Sequence, residues 1–145
     1  MTRSIKSLSV ALLTFFVISC DKDDPVPPNP NVAFTATING ASEVPANSST
    51  ASGSATANYN TDTKILTVTT TYSGVTATAG HIHKGAVGVS GGVIFPFTSL
   101  VSPINLTTPP LDAAQEADLM ANLYYVNIHS AAYPGGEIRG QLLKQ

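Results

Sequence analysis

From Val32 onward, apolar and polar residues alternate in short runs. Phe34, Ala36 and Ile38 alternate with Thr35, Thr37 and Asn39, the period of two that marks a half-buried strand. Asn39-Gly40 follows as a turn signal. Between Thr50 and Tyr59 the small or aromatic residues Ala51, Gly53, Ala55, Ala57 and Tyr59 alternate with polar ones. Asn60 to Lys64 reads as a loop, and Leu66, Val68, Thr70 and Tyr72 form the inner face of a returning strand, which together predict a β-hairpin. Further strands are predicted over Thr76–His83 and Val93–Phe97. The one helical pattern is Leu111 to Leu123, where Asp112 can cap and Gln115 can complete a capping box. Tyr124, Val126 and Ile128 then alternate with Tyr125, Asn127 and His129, and beyond Pro134-Gly135-Gly136 Ile138 alternates with Glu137, Arg139 and Gln141. Many short strands separated by turn signals predict an all-β domain, an antiparallel Greek-key β-sandwich with one short helix.

The same parity selects the candidate chemistry. His81 and His83 point one way while Ile82 points into the core, and Asn127 shares a face with His129. Both pairs are expected to face away from the apolar core. If their strands are neighbours, the three imidazoles converge, and a His-x-His pair with one further histidine is a known way to hold zinc or copper. It is also the tripod of a zinc hydratase or hydrolase. Arg139 opposes a cation if it lies on that face, and the competing reading is a polar network of Asn127, Glu137 and Arg139. For His129 to share a face with Arg139, the numbers of paired residues must sum to an even value, whereas a two-residue Pro134-Gly135 turn gives an odd one. An odd-length loop or a bulge is therefore expected, with Gly135 or Gly136 at positive φ.

Composition removes some alternatives. The 145 residues carry a net charge of -2 and few charged side chains, so the basic footprint of a nucleic-acid-binding protein is missing. Lys84-Gly85 to Gly92 holds four glycines but no Gly-Lys-Ser/Thr, and it reads as a loop of unusual dihedrals, not a phosphate cradle. No Ser-His-Asp arrangement can be assigned from spacing, and no enzymatic activity is assigned.

The N-terminus predicts location. Arg3 and Lys6 precede an apolar run from Leu8 to Ile18, so residues 1–19 read as a signal peptide. Val17-Ile18-Ser19-Cys20 resembles a lipobox, which implies cleavage before the single cysteine, lipidation of Cys20 and a membrane partner through that anchor. Loss of residues 1–19 leaves five basic against nine acidic residues, a net charge of -4. Asp21-Lys22-Asp23-Asp24 resembles an acidic signal for surface export from the outer membrane of a bacterial envelope, whereas an Asp directly after the lipidated cysteine signals inner-membrane retention in other bacteria; the Lys-Asp-Asp run favours export. Residues 20–31 form a proline-rich tether at ~3 Å per residue, and residues 32–145 form the domain.

Three motifs carry a family resemblance over nearly all of that domain. They are Gly40-Ala-Ser-Glu43-Val44-Pro45 with Thr50-Ala-Ser-Gly53, then His81-Ile-His83, then Tyr125-Val-Asn-Ile-His129 through Tyr133-Pro-Gly-Gly-Glu-Ile-Arg-Gly-Gln141. The chain resembles the CHRD domain, the module named after its repeats in chordin. The resemblance implies an immunoglobulin-like β-sandwich outside the cytoplasm, with no established catalytic activity. The expected function is binding or scaffolding at the envelope for a protein or glycan partner, with zinc or copper binding at His81, His83 and His129 as the alternative.

Overall fold

A computed structural model describes residues 28–145; the predicted signal peptide, Cys20 and the first residues of the tether lie outside that range. Among the described residues, nine strands and one α-helix follow in chain order: β1 (Asn31–Asn39), β2 (Ser52–Asn60), β3 (Ile65–Ser73), β4 (Ala77–Lys84), β5 (Val93–Pro96), β6 (Ile104–Thr107), α1 (Ala113–Met120), β7 (Tyr124–Ser130), β8 (Ile138–Gln141) and β9 (Leu143–Lys144). All strand pairs are antiparallel. They join into one continuous sheet in the order β5-β4-β7-β8-β1-β2-β3-β6, with β9 paired to β1. The two halves meet at β8 and β1 through the pair Asn39↔Arg139, and the sheet curls so that both halves enclose a single core.

That core follows the predicted parity. Phe34 and Ile38 of β1, Tyr59 of β2, and Leu66 and Val68 of β3 are buried together with Ile82 of β4, Val126 and Ile128 of β7, and Ile138 of β8. Each large aliphatic side chain buried in this way contributes about 1.5–3 kcal/mol relative to exposure. The helix is shorter than its pattern but starts where expected. Asp112 accepts from the Gln115 backbone N–H at 2.8 Å, and the Gln115 side chain accepts from the Asp112 backbone N–H at 3.0 Å. Strands β6 and β9 were not expected from the sequence; β9 holds two residues, too few for a periodicity to register.

The closing hairpin resolves the register question. Ile128 pairs with Ile138 and Asn127 with Arg139, an even register in which Asn127 and Arg139 share a face. Gly136 adopts φ 133°, as the required odd-length connection predicts. An added Cβ there would lie 2.7 Å from both terminal atoms of Asn127 and 2.7 Å from Glu43 Oε1, so a side chain is excluded by space as well as by dihedral.

The face carrying His83, Tyr125, Asn127 and Arg139 does point away from the apolar core, but it is not a solvent face. Tyr125 is 2% exposed, Arg139 2%, Asn127 4% and His83 8%. The segment from Gly85 to Gly92 lies over these strands and makes the alternation look open in sequence while it is closed in space.

Candidate metal centre

The histidines come from two neighbouring strands. On β4 and β7 the pairs are Ala79↔His129, His81↔Asn127 and His83↔Tyr125, so His81 sits diagonally between His129 and the His83–Tyr125 row. Same-face neighbours at this spacing lie within reach of imidazole rings. The ring centroids are 5.0 Å apart for His81 and His129, 5.4 Å for His81 and His83, and 6.1 Å for His83 and His129. One ligand-capable nitrogen from each falls within 4.8 Å of the other two. Among the described residues no carboxylate or thiol joins this group.

Backbone carbonyls orient two of the rings. His83 Nδ1 lies 3.0 Å from the Gly91 carbonyl oxygen, and His129 Nδ1 lies 3.0 Å from that of Pro134. A carbonyl only accepts, so each Nδ1 carries the proton and each Nε2 is left with a lone pair. His83 Nε2 is buried and has no hydrogen-bond partner among the described residues. His129 Nε2 lies 3.2 Å from His81 Nδ1 and accepts a hydrogen bond from it. A second hydrogen bond that fixes ring orientation and tautomer is the usual support of a metal-bound histidine. Tetrahedral zinc with bonds of about 2.0–2.1 Å sets its nitrogens about 3.3 Å apart. The His81–His129 edge, at 3.2 Å, already matches, and the His83 nitrogen lies within 4.8 Å of both.

The surroundings disfavour the charged form of two of the rings. Burial pushes the His81 imidazole below its ordinary value of 6.5, and the neighbouring His129 and His83 act in the same direction. Burial also lowers His83, against the opposing bond to Gly91, with smaller contributions from His129 and Arg139. Neutral imidazole is the ligating form.

Arg139 is turned into the loop. Its guanidinium carbon stands 3.4 Å from the centre of the Tyr125 ring, and Nη2 donates to the carbonyls of Ala86 and Val89 at 3.0 Å each. The Tyr125 ring also stacks on His83, with centroids 5.0 Å apart and planes 10° from parallel. Its hydroxyl accepts from the Gly91 N–H at 3.0 Å. Gln141 donates to the Gly85 carbonyl at 3.0 Å. Four side chains on this face thus hold the backbone of one loop. Gly91 is required for that closeness, since an added Cβ would lie 1.5 Å from the Lys84 carbonyl oxygen.

The expected network of Asn127, Glu137 and Arg139 is only partly assembled. Asn127 and Arg139 are neighbours, but Glu137 precedes β8, and the Gly136 dihedral sends its carboxylate to Ser49, whose hydroxyl donates to it at 2.6 Å. Glu43 occupies the vacated place. It is 8% exposed, and Asn127 Nδ2 approaches its Oε2 at 3.4 Å. Burial raises the Glu43 carboxyl above the ordinary value of 4.5, with Arg139 acting against the shift. In the sequence, Glu43 stands within the first of the three motifs, with no partner in view that would assign it a role. Its one visible signal was isolation, a single acid followed by Val44 and Pro45.

The model of one family, described as the CHRD domain, matches residues 34–142. No curated protein and no solved structure matches the chain.

Proposed function

Because the chain belongs to the CHRD-domain family, we propose that it is a cell-envelope lipoprotein whose CHRD domain binds a transition metal, zinc or copper, through His81, His83 and His129. One observation carries the metal reading. Three imidazoles from two adjacent strands converge within 4.8 Å, and two of them are held through Nδ1 by backbone carbonyls, which leaves Nε2 as the ligating atom. The placement in the envelope rests on the Val17–Cys20 lipobox, the acidic run after it and the proline-rich tether. We read the curled sheet, in which β4 lies beside β7 and β3 beside β6, as an immunoglobulin-like Greek-key sandwich opened along β8 and β1.

Binding of a protein or glycan partner is a second reading, favoured by the loop over the histidines. Val87 and Val89 on that loop are 74% and 53% exposed, and apolar tips of this kind suit contact with a partner. The deciding measurement is metal analysis of the purified protein after incubation with zinc or copper and removal of excess ion. One equivalent in the native chain and none in His83→Ala is the expected result. Absence of stoichiometric metal from the native chain removes the metal reading and leaves the partner reading.

A further inference from the structure

The charge balance around the three histidines distinguishes between the two metals. Every available donor is a neutral nitrogen, and among the described residues no Asp, Glu or Cys lies close enough to complete the set. Glu137 is held by Ser49, and Glu43 lies against Asn127 under the field of Arg139. A divalent ion at this centre therefore keeps its full double charge unless it recruits an anion from solution. The surroundings oppose that charge twice. His83 is buried while His81 and His129 are partly buried, and the cost of moving an ion out of water, felt on the His83 side, grows with the square of its charge. The Arg139 guanidinium, fixed against Tyr125 beside His83, repels a cation in proportion to its charge. Zinc also needs a fourth ligand, normally water, to complete its tetrahedron. A monovalent copper ion satisfies the same imidazoles as a three-coordinate centre, carries half the charge and needs no further donor.

We infer that the His81–His83–His129 centre is a site for Cu(I), selected over Zn(II) by an all-neutral donor set beside a buried guanidinium. This inference rests on the metal-binding reading above. It also identifies the residue whose substitution reverses the choice. Ala79 pairs directly with His129 on the same face of β4 as His81. It is only partly buried, so Ala79→Asp supplies an anionic donor without opening the core.

The test uses the full chain carrying Cys20→Ser, which removes the one thiol that would otherwise capture copper. Cu(I) is presented anaerobically as its bicinchoninate complex, and Zn(II) is presented with a chromophoric indicator. The expected result is one Cu(I) per chain, held at least a hundredfold more tightly than Zn(II), with X-ray absorption showing three nitrogen neighbours and no oxygen. In Ala79→Asp, Zn(II) affinity rises at least tenfold while Cu(I) affinity changes by less than that. Equal or tighter binding of Zn(II) by the parent chain overturns the inference and leaves the metal site standing. So does an oxygen ligand on the bound copper, or an Ala79→Asp chain in which the two ions gain equally. Failure of both ions to bind overturns the metal reading itself.

Discussion

At the scale of single residues, two glycines control the polar face. Gly136 combines φ 133° with a space in which a Cβ would meet Asn127 and Glu43 at 2.7 Å. Its partners are buried groups, not the free ends of mobile side chains, so they have little room to yield. Gly136→Ala is expected to cost about 1–3 kcal/mol from the dihedral alone, with the crowding added to it. The check is a drop in the urea midpoint at unchanged slope. Gly91 presents the harder case, because its neighbour at 1.5 Å is the Lys84 carbonyl oxygen. Gly91→Ala must displace the loop, lengthen the His83–Gly91 bond and free the His83 ring. It should therefore weaken metal binding more than its loss of stability explains. A substituted protein that stays folded and binds metal at full affinity contradicts the orienting role given to the Gly91 carbonyl.

At the scale of elements, the loop from Gly85 to Gly92 depends on side chains far from it in sequence. Arg139 donates to Ala86 and Val89 and lies over Tyr125. Charged hydrogen bonds each contribute about 1.5–3 kcal/mol and a desolvated cation–π contact about 2 kcal/mol. These terms share one side chain and do not add in full, so Arg139→Ala is expected to destabilise the domain by about 3–5 kcal/mol, as loss of one partner from a buried charged contact does. Hydrogen exchange should rise first at the loop amides and leave β1 to β3 protected. Uniform loss of protection would mean that Arg139 supports the sheet and not the loop. The contrast explains what could be read from the sequence. Phe34, Ile38, Leu66, Val68, Val126 and Ile128 announced their burial by a period of two, and Asp112 with Gln115 announced the helix start. These are local signals. The cover over Tyr125 and Arg139 is formed by contacts about 34 to 53 positions apart, and no periodicity encodes such a distance. A polar residue under a loop and one in water look alike in a linear pattern. For the same reason Glu137 was placed with Arg139 by parity, whereas the backbone at Gly136 turned it away.

At the scale of the whole molecule, the buried polar layer makes stability depend on pH in two opposed ways. Glu43 has its carboxyl raised above 4.5 by burial, so between that value and its folded value the native state binds more protons than the unfolded one. Its contribution is fully present below 4.5 and is lost as pH rises through the folded value. His81 and His83 are lowered below 6.5. There the unfolded state binds more protons, and stability falls on acidification through 6.5 toward the folded values. A single stability profile mixes the two, and the pair of variants Glu43→Gln and His83→Gln separates them. The difference between native chain and Glu43→Gln should shrink as pH climbs from 4.5, and the difference for His83→Gln should grow in the same direction. Metal adds a third linkage, because an ion that binds only the folded state stabilises it by RT ln(1 + [L]/Kd), about 2.7 kcal/mol at a free concentration a hundred times Kd. That gain requires deprotonated imidazoles, so it should be largest at neutral pH and fade below 6.5 in the native chain. It should be absent at every pH in His83→Gln. A metal-induced rise in melting temperature that survives in His83→Gln would place the ion elsewhere on the molecule and detach the pH dependence of the fold from the three-histidine centre.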